Sequence, residues 1–270
     1  MKLKTLPELK QDARLARKLI SNRSNYSRWR RTPEGELNAR RLADLRNLHQ
    51  GRRAVIMGNG PSLTKSDLHL LADEVTIVSN ANYLMWDQLS YIPKFLLVED
   101  RLVAEDRADE LRALSGLTRI FPFDLKALLG PPASDQLYVN FQRQYPGGPK
   151  FSFEFDRVAF WGGTVSFLNL QLAWYLGCNP IIMVGFDHSY KVEGETISNN
   201  VIVSERKDVN HFHPDYFGPG YRWHDPNVER MEKAYVCART ALGGKGVRVY
   251  NSTVGGKLEV FERAELKELL

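Results

Sequence analysis

Apolar positions along the chain follow two rhythms. Short unbroken runs at Ala54–Met57, Val75–Val78, Phe95–Val98, Thr118–Phe121, Pro180–Val184 and Val247–Tyr250 read as strands. Between them, Lys65–Leu71, Ala104–Leu114, Thr164–Leu176 and Asn227–Leu242 carry helical spacing, the last two stopped by Gly177 and by Gly243-Gly244. Residues 130–162, rich in Gly, Pro and aromatics, read as irregular, and 191–226 as one long loop. Continuously apolar strands alternating with helices predict an α/β, Rossmann-like fold: a mostly parallel sheet with helices on both faces.

Before residue 51 the rhythm is helical throughout. Leu6, Leu9, Ala13, Ala16, Leu19 and Ile20 mark one helix and Leu37, Leu42, Leu45 and Leu48 another, with Pro33 in its first turn. The expected organisation is a helical extension over 1–50 and a nucleotide-binding catalytic domain over 51–270. Charge sharpens that division. The formal charge of the 270 residues is +5, but residues 1–50 hold 13 Lys/Arg against 5 Asp/Glu, a balance of +8. The rest hold 24 against 27, a balance of −3. A nucleic-acid partner is not expected, because its binding face would spread Lys/Arg over the working domain. The basic extension fits a peripheral contact with an anionic membrane face, or a helix pair packed on the domain or on a second copy.

Composition excludes several classes. With 43% hydrophobic and 26% charged residues the chain is a folded globular one. No apolar run approaches the roughly 20 residues of a membrane span, and the first residues lack a signal peptide's apolar stretch. Cys178 and Cys237 are the only cysteines, which argues against a disulfide framework or a cysteine-based zinc site. A cytoplasmic location is expected, with peripheral attachment to the inner face of the membrane as an option.

Ligands of open parallel sheets bind beyond the carboxyl ends of the strands, and those ends carry the polar clusters. After the first strand, Gly58, Asn59, Gly60 and Ser62 form a loop whose backbone amides can hold a phosphate; a plain strand-to-helix turn is the alternative. Leu63 stands where a third glycine of a dinucleotide fingerprint belongs, and no Walker pattern is present. Asn80 and Asn82 follow the second strand, as base or sugar contacts or as turn residues. Glu99, Asp100 and Arg101 follow the third, as substrate contacts or as a solvated cluster. Gly162, Gly163 and Thr164 open a long apolar helix, as a ligand rest or a simple cap. Asp187, His188 and Tyr190 follow the most apolar strand.

Histidine is the usual general base near neutral pH. Four of the six histidines, His188, His211, His213 and His224, fall within 37 residues, and His211 and His213 sit in an aromatic loop with Asp215, Tyr216 and Phe217. That density points to a site. A zinc centre is the rival reading of His and Asp together, and no metal is expected in the favoured one.

These motifs carry a resemblance. Gly58–Leu63, Ser79–Leu84, Gly162–Gly177 leading to Ile181–Tyr190, Asn210–Phe217 and Tyr250–Leu258 resemble, over about residues 50–262, the MptE-like family, named for an archaeal 6-hydroxymethylpterin diphosphokinase. They are more distantly similar to bacterial sialyltransferases with a Rossmann-like fold, which use a CMP-activated sugar without a metal. That second resemblance implies nucleotide contacts at Gly58, Asn59, Gly60 and Ser62, a nucleotide or donor-sugar contact at Asn80, and a neighbour of the base or ribose at Thr164. It implies a ribose or acceptor contact at Asp187, a phosphate ligand at Tyr190 and a base at His211 or His213; the residues themselves add Asn82, Gly163 and His188 as candidate nucleotide contacts and Asp100, Arg101 and Tyr216 as candidate substrate contacts.

Three functions follow. The favoured one is a metal-independent nucleotide-sugar glycosyltransferase of bacterial surface-glycan synthesis, with a CMP-sugar as co-substrate, no tightly bound cofactor, and a glycan or small alcohol as acceptor. The alternative is a diphosphokinase passing pyrophosphate from ATP to a hydroxymethylpterin-type alcohol, with Mg²⁺ held by Asp100, Asp187 and Glu99. The third is a non-catalytic nucleotide-binding scaffold.

Overall fold

Each apolar run becomes a strand because both of its faces are covered. The computed structural model describes residues 24–191, 195–198 and 201–270. In chain order the strands are β1 (Ala54–Met57), β2 (Val75–Ser79), β3 (Phe95–Leu97), β4 (Thr118–Pro122), β5 (Gln136–Val139), β6 (Phe141–Gln142), β7 (Ala159–Phe160), β8 (Ile181–Val184), β9 (Glu195–Ser198), β10 (Val201–Val203), β11 (Arg222–His224), β12 (Val249–Asn251) and β13 (Glu262–Arg263). Eight of them build the main sheet in the order β13-β12-β8-β1-β2-β3-β4-β5, with every neighbouring pair parallel. Ile56, Ile77 and Met183 point into one apolar layer and Met57, Val78 and Val184 into the other. The α/β, Rossmann-like expectation is met.

Strands β1 to β5 run outward in sequence, and the chain then returns to lay β8 against the other side of β1. The order reverses there, so a crevice opens between the carboxyl ends of β1 and β8. The helix Val165–Tyr175 packs beneath it, with every residue but Trp174 buried. Such all-round burial explains its lack of a polar face.

Several expectations change. Residues 65–71 do not form an α-helix but belong to two 3₁₀ turns, Pro61–Lys65 and Leu68–Leu71, separated by an extended Ser66. Leu63, Leu68 and Leu71 are all buried by the two turns. The stretch 104–114 is two helices, Arg101–Asp106 and Ala108–Ala113, broken at Arg107, whose side chain turns inward. The irregular 130–162 contains β5 and the paired β6 and β7, and the long loop 191–226 holds the antiparallel sheet β11-β10-β9.

The first expected helix, Leu6 to Ile20, lies outside the described residues. The second is Pro33–Asp44, capped by the Thr32 hydroxyl. Its Asn38 donates to the Tyr138 carbonyl at 2.9 Å and accepts from the Tyr138 amide at 2.8 Å. That amide occupies the open edge of β5 as a neighbouring strand would. Leu42 is fully buried, and Trp29 stacks on Phe123 at 4.7 Å. The described part of the extension is thus built into the sheet edge, with Arg28, Arg30, Arg31 and Arg40 turned to solvent. Among the described residues no helix is long and apolar enough to cross a membrane.

Candidate active site

The loop after β1 closes on the loop after β8. A Cβ on Gly58 would stand 2.4 Å from the Gly185 carbonyl oxygen, and one on Gly60 would overlap Asp187 Oδ2. Into the space these glycines leave, Asp187 inserts its carboxylate, which accepts from the Ser62 amide at 3.2 Å and the Ser62 hydroxyl at 2.6 Å. The amide that the sequence reading offered to a phosphate is therefore taken by a carboxylate of the protein. Gly58, Gly60 and Ser62 thus meet the segment after β8 directly, and the turn that follows them is a single 3₁₀ turn with little macrodipole.

Asn59 and Asn82 are scaffold as well. Asn59 donates to the Ser79 carbonyl at 3.2 Å and accepts from Asn82 at 3.2 Å, while Asn82, fully buried, accepts from Trp86 Nε1 at 3.1 Å. These bonds tie Asn59 and Asn82 to each other, to Ser79 and to Trp86. Asn80 differs. Its backbone is left-handed, at φ 56°, and its buried Oδ1 has no hydrogen-bond partner. The Tyr216 hydroxyl faces it, also buried and also without hydrogen-bond geometry to any partner.

Tyr216 belongs to the histidine loop, which docks at the same crevice through the Phe212 amide on the Asn59 carbonyl, 2.9 Å. His211 stacks on the Tyr216 ring with centroids 4.0 Å apart and planes 5° from parallel. His211 Nδ1 lies 2.7 Å from Asp208 Oδ2. Asp208 also accepts from the Asn210 and Phe217 amides, at 2.7 and 3.0 Å. Burial opposes its ionisation, but these bonds and His211 outweigh it and hold its carboxyl below the usual range. An ionised carboxylate only accepts, so Nδ1 carries the proton and Nε2 of the neutral ring carries a lone pair. Nε2 has no hydrogen-bond partner among the described residues, so His211 is oriented as a base.

His213 is wired the opposite way. Its Nδ1 accepts from the Asp215 amide at 3.2 Å, which puts the neutral ring's proton on Nε2. It holds a turn, and its outward nitrogen is a donor.

Arg107 fixes this loop in place. Only 3% exposed, it donates to the carbonyls of Asp215 and Tyr216 at 2.7 and 2.8 Å and to Glu110 at 2.8 Å. Its inward turn explains the helix break described above. Neither Arg107 nor Asp208 was read from the sequence. The spacing Asp208–His211 was the available signal for the second; nothing local marked the first.

A second group gathers at the start of the helix Val165–Tyr175. Thr164 caps it, accepting from the Ser166 amide at 3.3 Å, and the Tyr235 hydroxyl faces both residues. Gly163, at φ 93°, brings its backbone against Arg230, where a Cβ would stand 3.2 Å from the side chain. Arg230 lies over the Trp161 ring at 4.1 Å and leaves its buried Nε unpartnered. His188, left-handed at φ 51°, is buried between Tyr190 and Tyr235, 3.4 Å from Glu232, with no hydrogen bond to Nε2. Burial, with Tyr235, Tyr216 and Asp187 nearby, raises the Tyr190 phenol and keeps it a neutral donor. Arg230 is the cation the sequence reading missed.

The cluster after β3 stands apart. Glu99 is buried, pushed up to about 7 by desolvation against the opposing pull of Arg143, which donates to it at 3.0 Å, as Trp161 does at 3.1 Å. Asp100 caps the Leu102 amide at 2.7 Å and meets His224 Nδ1 at 3.0 Å. Arg101 is exposed and pairs with Glu105 at 2.7 Å. The three carboxylates the diphosphokinase alternative needs are thus committed to separate partners: Asp187 to Ser62, Glu99 to Arg143 and Trp161, Asp100 to its cap and His224. Among the described residues no three His, Cys, Asp or Glu groups are clustered for a metal.

No family model and no curated protein matches the chain, so the MptE-like membership expected from the motifs is not shown. Among solved structures, a mammalian sialyltransferase crystallised with Gal-beta-1-3GalNAc-ortho-nitrophenol aligns over 88% of this chain and 86% of its own, at 11% identity and a TM-score of 0.38. A likeness of that size establishes neither activity nor ligand.

Proposed function

We propose that the protein transfers a sugar from a nucleotide-activated donor, a CMP-sugar, to an acceptor hydroxyl, with His211 as general base. The observation that carries this reading is the Asp208–His211 pair, which stacks on Tyr216 and whose Nε2 has no hydrogen-bond partner among the described residues. The motif resemblance to sialyltransferases supplies the donor class. The acceptor oxygen attacks the anomeric carbon, its proton passes to Nε2, and the bond from that carbon to the phosphate oxygen breaks. The nucleotide leaves with that electron pair. Neutral phenols at Tyr190 and Tyr216, with Arg230 at the neighbouring helix, are the donors available to the leaving charge. Asp208 keeps the ring in the productive tautomer and stabilises the imidazolium that forms.

The test is thermal shift of the full chain with CMP, UDP, GDP and ATP, followed by assay with the stabilising nucleotide's sugar. CMP is expected to raise the melting temperature. If no pyrimidine nucleotide does, the reading fails.

A further inference from the structure

Residues 204–211 with Phe217 and Trp223 line a cavity of about 350 Å³. Its volume is within the range of small-ligand sites. We propose that this cavity is the acceptor subsite and that it takes a sugar bearing a negatively charged substituent, phosphate or carboxylate. The assignment rests on the glycosyl-transfer reading for its role, though not for the binding itself.

Three features of the wall carry it. Val209, Phe217 and Trp223 give an apolar side, with the two rings 6.2 Å apart and 19° from parallel, a surface suited to the C–H face of a pyranose. Trp223 is only 7% exposed, and its indole N–H is buried without an acceptor. Buried donors are nearly always paired, so this one calls for an oxygen from a ligand. Charge then sets the ligand class. Of the four charged groups that line the cavity, Asp208 turns its oxygens to His211 and two backbone amides, while Arg206, Lys207 and Glu205 are exposed to a ligand. Both cations are exposed and unpaired among the described residues, so they are free to meet an anion.

Position supplies the remaining argument. His211 lines the cavity and also stacks on Tyr216, whose hydroxyl faces Asn80 at the strand ends. A sugar held in the cavity therefore lies against the proposed base.

The test is calorimetric titration of the full chain with glucose 6-phosphate, glucuronate, glucose and inorganic phosphate. At least one anionic sugar is expected to bind about tenfold more tightly than glucose and than phosphate. Arg206→Ala/Lys207→Ala is expected to remove about tenfold of that affinity, and Trp223→Phe, which keeps the ring and loses the N–H, about threefold. The proposal is overturned if neither anionic sugar outbinds glucose, if phosphate alone matches them, or if the double variant binds like the unaltered chain. A parallel titration with CMP reads the donor separately. Anionic-sugar binding without CMP binding leaves the cavity assignment standing and defeats the transfer reading; CMP binding without anionic-sugar binding does the reverse.

Discussion

The loop 58–62 and the loop 208–217 border the same crevice, but they spend their polar groups differently. In the first, glycines admit a carboxylate of the protein, and the Ser62 amide and hydroxyl are both consumed by it. In the second, a buried carboxylate is consumed so that a ring nitrogen is left over. Both loops are rich in residues that bind ligands elsewhere. What separates them is which atoms remain unpaired among the described residues once the chain has folded, and on that difference rests the proposal that the histidine loop supplies the base.

The sharpest way to break this comparison is to remove the nitrogen. His211→Ala is expected to lower kcat by about 10²- to 10⁴-fold, the usual contribution of a general base. His213→Ala, which removes only a turn contact, should stay within about threefold. Equal losses would return the choice between them to where the sequence left it. A scaffold function predicts no loss from either, so retained cellular function in a folded His211→Ala protein would favour that reading.

Next in size is the support. Arg107→Ala leaves two loop carbonyls without their donor and should cost about 2–3 kcal/mol, read by urea denaturation. Because Arg107 holds Tyr216, which carries the His211 ring, activity should fall further than the share of protein unfolded. A loss of stability alone would detach the loop from the site.

In the glycine loop the effect should be on folding first. Gly60→Ala drives a methyl group into Asp187, with an expected cost of about 1–3 kcal/mol in melting experiments even without ligand. If the variant instead melts normally and loses only nucleotide affinity, the loop binds the donor after all.

The smallest effects are those of pH on the two Asp–His pairs. Asp208 has a folded pKa below its unfolded one, so its stabilisation is present above the ordinary carboxylate range and is lost as pH falls through the folded value. Asp100 behaves alike. Its partner His224 is raised, first by the hydrogen bond to Asp100, so that contribution is present below the ordinary imidazole value and lost as pH rises through the folded one. His224 is half exposed, and solvent screening limits this pair to under about 1 kcal/mol. Melting temperature against pH should lose the basic-side step in His224→Ala and keep the acidic one from Asp208.

The fold was legible because burial writes itself into sequence. β1, β2, β3, β4 and β8 are short apolar runs, and the caps at Thr164 and Asn227 stand one residue before their helices. What escaped was held by distant contacts. β5 is anchored by Asn38, 100 residues away, and β9, β10 and β11 are short strands of a small sheet without a long apolar run. In the site, residue type showed where chemistry gathers but not which atoms stay free. Asp187 and Ser62 are 125 residues apart, so nothing in the text of the chain reveals that each satisfies the other. Nor does spacing show that Arg107 supports Tyr216, 109 residues on. The pairing of Asp208 with His211, three residues apart, was within reach.

The tautomers themselves provide the most direct test. Long-range ¹H–¹⁵N spectra of the neutral imidazoles, assigned through His211→Ala and His213→Ala, report which ring nitrogen carries the proton. The account predicts a protonated Nδ1 and a bare Nε2 for His211, with the reverse for His213. A His211 ring protonated on Nε2 would leave the site without its base and contradict the account at its centre.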